Sequence, residues 1–185
     1  SKSIAIQFAK DKIRSNVILP SATESPMQAP QLHRALGERR GRVALLTGGR
    51  VKIGYQAGLK LLRAGADLIV TTRFPRDSAA RYAAEPDFAE WGHRLKVYGL
   101  DLRHTPSVEA FCAHLLQTRD RLDFIVNNAC QTVRRPPDFY RHMMELEAAA
   151  ITEMAPEVQR LLGAHEGLRR SDMLPSADEV PHGTA

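Results

Sequence analysis

The 185-residue sequence predicts an α/β fold, in which helices flank a partial, doubly wound parallel β-sheet. Short apolar runs that are typical of buried strands alternate with segments whose apolar residues recur at helical spacing. A glycine-rich turn follows the first of these runs and leads into a helical segment. Strands and helices that alternate in this way build parallel sheets with right-handed crossovers.

Four strands form the centre of the predicted sheet, at 43–46, 67–72, 95–100 and 122–126. Because the doubly wound arrangement reverses direction after its first strand, we expect the order third, second, first, fourth. The helices that accompany them are predicted at 55–63, 78–84, 108–117, 139–150 and 157–164.

The two ends of the sequence have a different character. Residues 3–10 are predicted to form a helix and 13–19 a strand, which Pro20 ends. We therefore divide the chain into a helix–strand piece at 1–28, a linker at 29–41, the main domain at 42–165 and a disordered tail at 166–185. An uncovered strand edge is a template for association, so the strand at 13–19 is expected to pair with that at 122–126. This pairing would occur within one chain or in a strand-exchanged dimer, and a homo-oligomer is predicted.

Composition narrows the classes of partner and location. The cysteines Cys112 and Cys130 have no CxxC or Cys/His partner, which favours a reduced, cytoplasmic protein. No apolar run approaches the ~20 residues that span a bilayer, so no membrane partner is predicted. The net charge of +5 is scattered, which indicates a solvated surface or an anion site. Aromatic residues are few and the histidines lack metal-ligand spacing, so neither a nucleic-acid partner nor a metal site is predicted.

The turn after the first strand is a candidate phosphate-binding site. Glycine at its first corner permits an unusual backbone conformation, and glycine at its end lets helix, strand and ligand approach closely. Backbone amides and the helix N-terminus can then face a pyrophosphate. A P-loop is excluded because Tyr55-Gln56 stand where Lys-Ser/Thr is required. The predicted cofactor-binding residues of this turn are Thr47, Gly48, Arg50, Lys52, Ile53 and Gly54.

Three motifs, in this order, resemble the short-chain dehydrogenase/reductase family. The turn is similar to its Thr-Gly-x3-Gly-x-Gly pattern. Asp101-Leu102 stand where the family places an aspartate beside the adenine ring, and Asn127-Asn128-Ala129 stand where it has Asn-Asn-Ala-Gly. The resemblance implies half of a Rossmann fold that binds a dinucleotide. It adds four residues to the predicted site, which are Asp101, Leu102, Asn128 and Ala129.

Two positions depart from the family pattern. Lys52 replaces the middle glycine of the turn, where it either crowds the backbone or adds its ammonium to the field around the phosphates. Cys130 replaces the glycine after Asn-Asn-Ala and is interpreted as a small packing residue, since no base is placed beside it.

The end of the second strand predicts which dinucleotide binds. An acidic residue there holds the ribose 2′-hydroxyl of NAD, whereas arginine accommodates the 2′-phosphate of NADP. Here the strand ends at Arg73, and no acidic residue lies between Asp67 and Asp77. Arg73 therefore completes the predicted site and favours NADP(H) over NAD(H), the alternative being that Arg73 is a solvated loop residue.

The residues that carry the family's chemistry are not found in this sequence. The family passes a proton through a tyrosine whose pKa is lowered by a lysine four positions later, and no Tyr-x3-Lys occurs here. Residues 1–28 instead resemble the segment that follows this lysine, so the order is that of a permutation, a fusion or a truncated fragment. No catalytic residue is assigned. The sequence predicts an NADP(H)-binding oxidoreductase module, acting on a carbonyl or alcohol if active, or an inactive nucleotide sensor or interaction subunit.

Overall fold

A parallel five-stranded sheet organises the computed structural model, which describes residues 15–16, 41–129 and 140–170. The strands lie in the order β1-β5-β2-β3-β4. All neighbouring strands are parallel, which confirms the α/β class and the predicted order of the four central strands. They comprise β1 (Ser15–Asn16), β2 (Val43–Thr47), β3 (Asp67–Thr72), β4 (Leu95–Gly99) and β5 (Phe124–Val126).

The helices confirm the predicted alternation but differ in their ends. The first helix begins at Lys52 rather than Tyr55, and the second begins at Pro75 rather than Ser78, since proline suits the first turn of a helix. None of the helices in the described ranges is long and apolar enough to cross a membrane. They are α1 (Lys52–Arg63), α2 (Pro75–Ala83), α3 (Phe88–Trp91), α4 (Thr105–Thr118), α5 (Arg141–Ala148) and α6 (Pro156–Arg170), with 3-10 turns at Gly92–Arg94 and Ile151–Glu153.

The short strand β1 joins the sheet at the edge of β5. Ser15 pairs with Ile125 and Asn16 with Val126, in parallel. The predicted pairing of the 13–19 segment with the fourth strand is therefore confirmed for these residues, within one chain. The rest of that strand, the helix at 3–10, the linker at 29–40, Cys130 and residues 171–185 lie outside the described residues.

Alternating residues of the strands build a core on each face of the sheet. On one face Leu46 and Val70 pack with α1 and with the buried rings of Tyr82 and Trp91. On the other face Ile69 packs with Tyr98 of β4 and Phe111 of α4. Burying one large apolar side chain contributes about 1.5–3 kcal/mol, so these two clusters hold the strand ends in fixed positions.

Helix α6 covers the edge strand β4 and corrects the predicted end of the domain. It was expected to stop at Ala164, with a disordered tail from 166, but it continues to Arg170 because Leu168 is buried in the second core. His165 accepts a hydrogen bond at Nδ1 from the Gly99 amide, 3.2 Å away. Burial lowers the pKa of His165 to about 3, so the ring is neutral and can accept this bond. The helix thereby satisfies a backbone group of an otherwise open edge.

Candidate functional site

The predicted site residues lie along one edge of the sheet. Parallel strands place their carboxyl ends together, and ligands of such sheets bind outside those ends. Here β2 leads into the glycine turn, β3 into Arg73, β4 into Asp101 and β5 into Asn127-Asn128. The fold therefore brings together four segments that are far apart in the sequence.

Hydrogen bonds join the glycine turn to the segment after β5. The Thr47 hydroxyl accepts from the backbone amides of Asn128 and Ala129, each 3.0 Å away. The side-chain amide of Asn128 donates to the carbonyl oxygens of Thr47, at 3.2 Å, and Gly48, at 3.0 Å. Thr47 and Asn128 thus fix the turn, and in this arrangement their polar side-chain groups face protein atoms.

Close backbone approach explains the glycines at the two ends of the turn. Gly48 has φ of 69°, in the left-handed region, and a Cβ there would lie 2.9 Å from the Cα of Ala129. A Cβ on Gly54 would lie 2.3 Å from the Gly48 oxygen and 2.4 Å from Nδ2 of Asn128. These distances are too short for any side chain, so the turn itself requires glycine at both positions.

Lys52 adopts the backbone conformation of the glycine that it replaces. Its φ is 53°, the only positive value of a non-glycine residue within the described ranges. A left-handed conformation costs an L-residue roughly 1–2 kcal/mol, because Cβ crowds the following carbonyl oxygen. The lysine is exposed and is the first residue of α1. Lys52 therefore places a positively charged residue at a helix N-terminus, in a strained backbone conformation.

Arg50 is engaged by a carboxylate of the neighbouring helix. Its Nη1 donates to Oδ2 of Asp77 in α2 at 2.7 Å, and both side chains are mostly buried. Arg81 donates to the same oxygen at 2.7 Å. Burial acts to raise the pKa of the Asp77 carboxyl, but the hydrogen bonds from Arg81 and Arg50 outweigh it and leave that pKa below its ordinary value. Arg50 therefore fixes α2 to the turn, a contact that could not be predicted from the sequence pattern.

Arg73 directly follows β3, and its guanidinium lies over two aromatic rings. Its guanidinium carbon is 5.6 Å from the ring centroid of Phe74 and 5.3 Å from that of Tyr140. The two rings are themselves stacked, with centroids 5.3 Å apart and planes inclined by 28°. These distances are those of cation–π contacts. Tyr140 was not among the predicted site residues, because it belongs to a segment beyond β5.

Asp101 follows β4 and is held by a nearby arginine. The Arg103 backbone amide donates to Oδ1 at 3.0 Å, and its guanidinium donates to both carboxylate oxygens. The hydrogen bond from Arg103 lowers the pKa of Asp101, and the positive charge of Arg73 lowers it further. The adjacent Leu102 is 48% exposed and Ile53 of the turn is 55% exposed, so the edge presents two large apolar side chains to solvent.

Comparison with known proteins gives the family to which this arrangement belongs. A profile of the short chain dehydrogenase family matches residues 42–166, more than half of the chain. The chain is 35% identical over 126 residues to the Uncharacterized protein R665 of Acanthamoeba polyphaga mimivirus. This match covers 65% of the present chain and 27% of that protein. It is 34% identical over 109 residues to Dehydrogenase/reductase SDR family member 13 of Bos taurus. This match covers 56% of the present chain and 28% of that protein.

Solved structures of similar proteins overlap the chain only in part. The oxidoreductase yciK from E. coli has a TM-score of 0.44 at 20% identity, over 72% of this chain and 54% of that chain. The Pseudomonas aeruginosa RhlG/NADP active-site complex has a TM-score of 0.40 at 26% identity, over 71% and 50%. The chain thus spans about half the length of these structures, and under a third of the curated relatives named above. With the matched range covering the turn and all four central strands, the chain belongs to the short-chain dehydrogenase family.

Proposed function

We propose that the carboxyl edge of the sheet binds NADP(H) in preference to NAD(H). One observation carries this proposal, namely which of the arginines along the edge are paired with a carboxylate. Arg50 is paired with Asp77, and Arg103 with Asp101. Arg73 forms no ion pair with any acidic side chain in the part of the chain that the structure describes. It offers a cation with no carboxylate in direct contact, at the strand end where Rossmann folds meet the adenosine ribose.

The glycine turn fits the pyrophosphate of the same ligand. The first amides of a helix have no intrahelical acceptor, and those of α1 adjoin the turn. Glycine at 48 and 54 keeps the turn tight, because a Cβ at either position would collide with neighbouring protein atoms. The Lys52 ammonium adds positive charge, while Ile53 and Leu102 supply apolar surface that a bound nucleotide would cover.

For the residues of this chain we propose nucleotide binding but not catalytic turnover. A bound nicotinamide supplies or accepts hydride, whereas a positioned tyrosine and lysine move the proton in this family. The sequence contains no Tyr-x3-Lys, so we propose an oxidoreductase module that is inactive alone. The second candidate is a nucleotide sensor or interaction subunit, which the absence of Tyr-x3-Lys also favours. The cytoplasmic location and the oligomeric state stay predictions.

Titration with both nucleotides tests the proposed preference. We expect NADPH to bind more tightly than NADH, and Arg73→Ala to weaken NADPH binding by about 10- to 100-fold, since a charge-assisted phosphate contact contributes about 1.5–3 kcal/mol. Arg160→Ala is the matched control, because it removes the same charge from an exposed position on α6. Equal affinities of the two nucleotides, or no effect of Arg73→Ala, would refute the assignment.

A turnover assay separates the two candidates. The chain is incubated with NADPH and a panel of aldehydes and ketones, and the absorbance of the reduced nicotinamide is followed. An oxidoreductase module that is completed by another polypeptide gains activity when a segment carrying Tyr-x3-Lys is added. A sensor binds NADPH and shows no turnover under either condition.

A further inference from the structure

We infer that Tyr140 positions the guanidinium of Arg73 for the 2′-phosphate and so helps determine nucleotide preference. This inference rests on the proposed function. It assigns a role to a residue outside the glycine turn and outside the four strand ends. Tyr140 directly precedes α5, and its ring stacks on Phe74, which lies between β3 and α2.

The partner of a cation decides whether its charge remains available. A carboxylate orients an arginine but cancels its charge, as Asp77 does for Arg50. An aromatic face orients the planar guanidinium through its quadrupole and carries no net charge. Arg73 lies about equally close to the rings of Phe74 and Tyr140, at 5.6 and 5.3 Å. The two rings therefore restrict the arginine without neutralising its charge, which stays available to a phosphate.

Tyr140 is held in place by contacts of the helix that follows it. Met143 of α5 is buried, and its sulfur accepts from Nη1 of Arg50 at 3.2 Å. The Glu147 carboxylate accepts from the backbone amides of Arg76 and Asp77, at 3.1 and 3.0 Å, in the first turn of α2. A carboxylate at a helix N-terminus is favourable because it meets unpaired amides and the positive end of the helix dipole.

The Arg76 side chain adds a second anchor from α2 to the same segment. It is 7% exposed and donates to the backbone oxygens of Glu147 and Ala149. The segment from Tyr140 to Ala149 is thus fixed to α2 at both ends, since the Tyr140 ring stacks on Phe74 just before that helix. A ring on such a support is pre-organised, which lowers the entropic cost of ordering the arginine upon binding.

Substitutions of Tyr140 test this role through the ratio of two affinities. We expect Tyr140→Leu to weaken NADPH binding about threefold to fivefold, as for the loss of a cation–π contact, and to leave NADH binding unchanged. Tyr140→Phe keeps the ring and is expected to keep the preference for NADPH. Equal weakening of both nucleotides by Tyr140→Leu would overturn the inference, since it would indicate a structural role alone.

A second variant avoids any change to the packing around α5. Arg73→Lys keeps the charge at an exposed position but lacks the planar group that lies over the rings. We expect it to reduce the preference for NADPH about as far as Tyr140→Leu does. Full preference in Arg73→Lys would overturn the inference even if Tyr140→Leu failed to fold.

The outcomes also distinguish this inference from the proposed function. If the unaltered chain shows no preference for NADPH, both fail. If it prefers NADPH and Arg73→Ala removes the preference while Tyr140→Leu and Arg73→Lys do not, the proposed function stands and the role of Tyr140 is refuted.

Discussion

Replacing Lys52 with glycine should stabilise the fold and weaken nucleotide binding. The lysine holds φ at 53°, a conformation that costs an L-residue roughly 1–2 kcal/mol and glycine almost nothing. Glycine also raises the entropy of the unfolded chain, which offsets about 0.4–1 kcal/mol of this gain. The expected net effect on the free energy of unfolding is an increase of roughly 1 kcal/mol, equivalent to about 2–4 °C in Tm for a chain of this size.

The same substitution removes an exposed ammonium from the N-terminus of α1. If that ammonium contributes to the field around the pyrophosphate, NADPH and NADH should both bind about two- to fivefold more weakly, the range for a solvent-exposed charge contact. Lys52→Ala is the matched control, because it removes the charge and retains a Cβ in the strained conformation. It should bind as weakly as Lys52→Gly without its gain in stability.

Calorimetry measures both quantities, by thermal unfolding and by titration with each nucleotide. Tighter binding by Lys52→Gly would show that the lysine crowds the turn rather than attracting phosphate. Unchanged or reduced stability of Lys52→Gly relative to Lys52→Ala would refute the strain argument.

The remaining predictions concern the stability of the fold. Gly54→Ala should destabilise the fold by about 3 kcal/mol, since its Cβ would lie 2.3 Å from a backbone oxygen. Gly163→Ala should instead stabilise α6 by about 0.5–1 kcal/mol, because a Cβ there would have no atom within 4 Å. Chemical denaturation measures both changes in the free energy of unfolding. Burial acts to raise the pKa of Asp123, but hydrogen bonds from Arg121, Val43 and Arg42 lower it to about 2, below its unfolded value of 3.8. Its stabilising contribution is therefore present above pH 3.8 and lost as the pH falls towards 2. Asp123→Asn should flatten this part of the pH–stability profile, and an unchanged slope would contradict the pairing.

The central strands and the glycine turn could be predicted because their signals are local. A buried parallel strand is a continuous apolar run, as in 67–72, whose predicted bounds are those observed. The positive φ of Lys52 also had a local signal, since the family pattern has glycine at that position. Helix ends were less predictable. Leu168 extends α6 beyond Ala164 only because a core lies beneath it, which is a tertiary effect.

The contacts around Arg73 and Arg50 could not be predicted from local patterns. Tyr140 meets Phe74, and Met143 meets Arg50, across long stretches of sequence that carry no shared periodicity. The ion pair of Arg50 with Asp77 likewise depends on the angle at which α2 leaves β3. Sequence reasoning placed both Arg50 and Arg73 in the candidate site, and the structure distinguishes them by their partners.

Amide hydrogen exchange with and without NADPH tests most directly whether the carboxyl edge of the sheet is the nucleotide site. Binding should slow exchange at residues 50–54, where the first amides of α1 lack intrahelical acceptors, and near Asp101-Leu102. The opposite edge of the sheet, around Arg42 and Asp123, should show no change beyond global stabilisation. Protection confined to that opposite edge, or NADPH binding without protection of the turn, would contradict the proposed site.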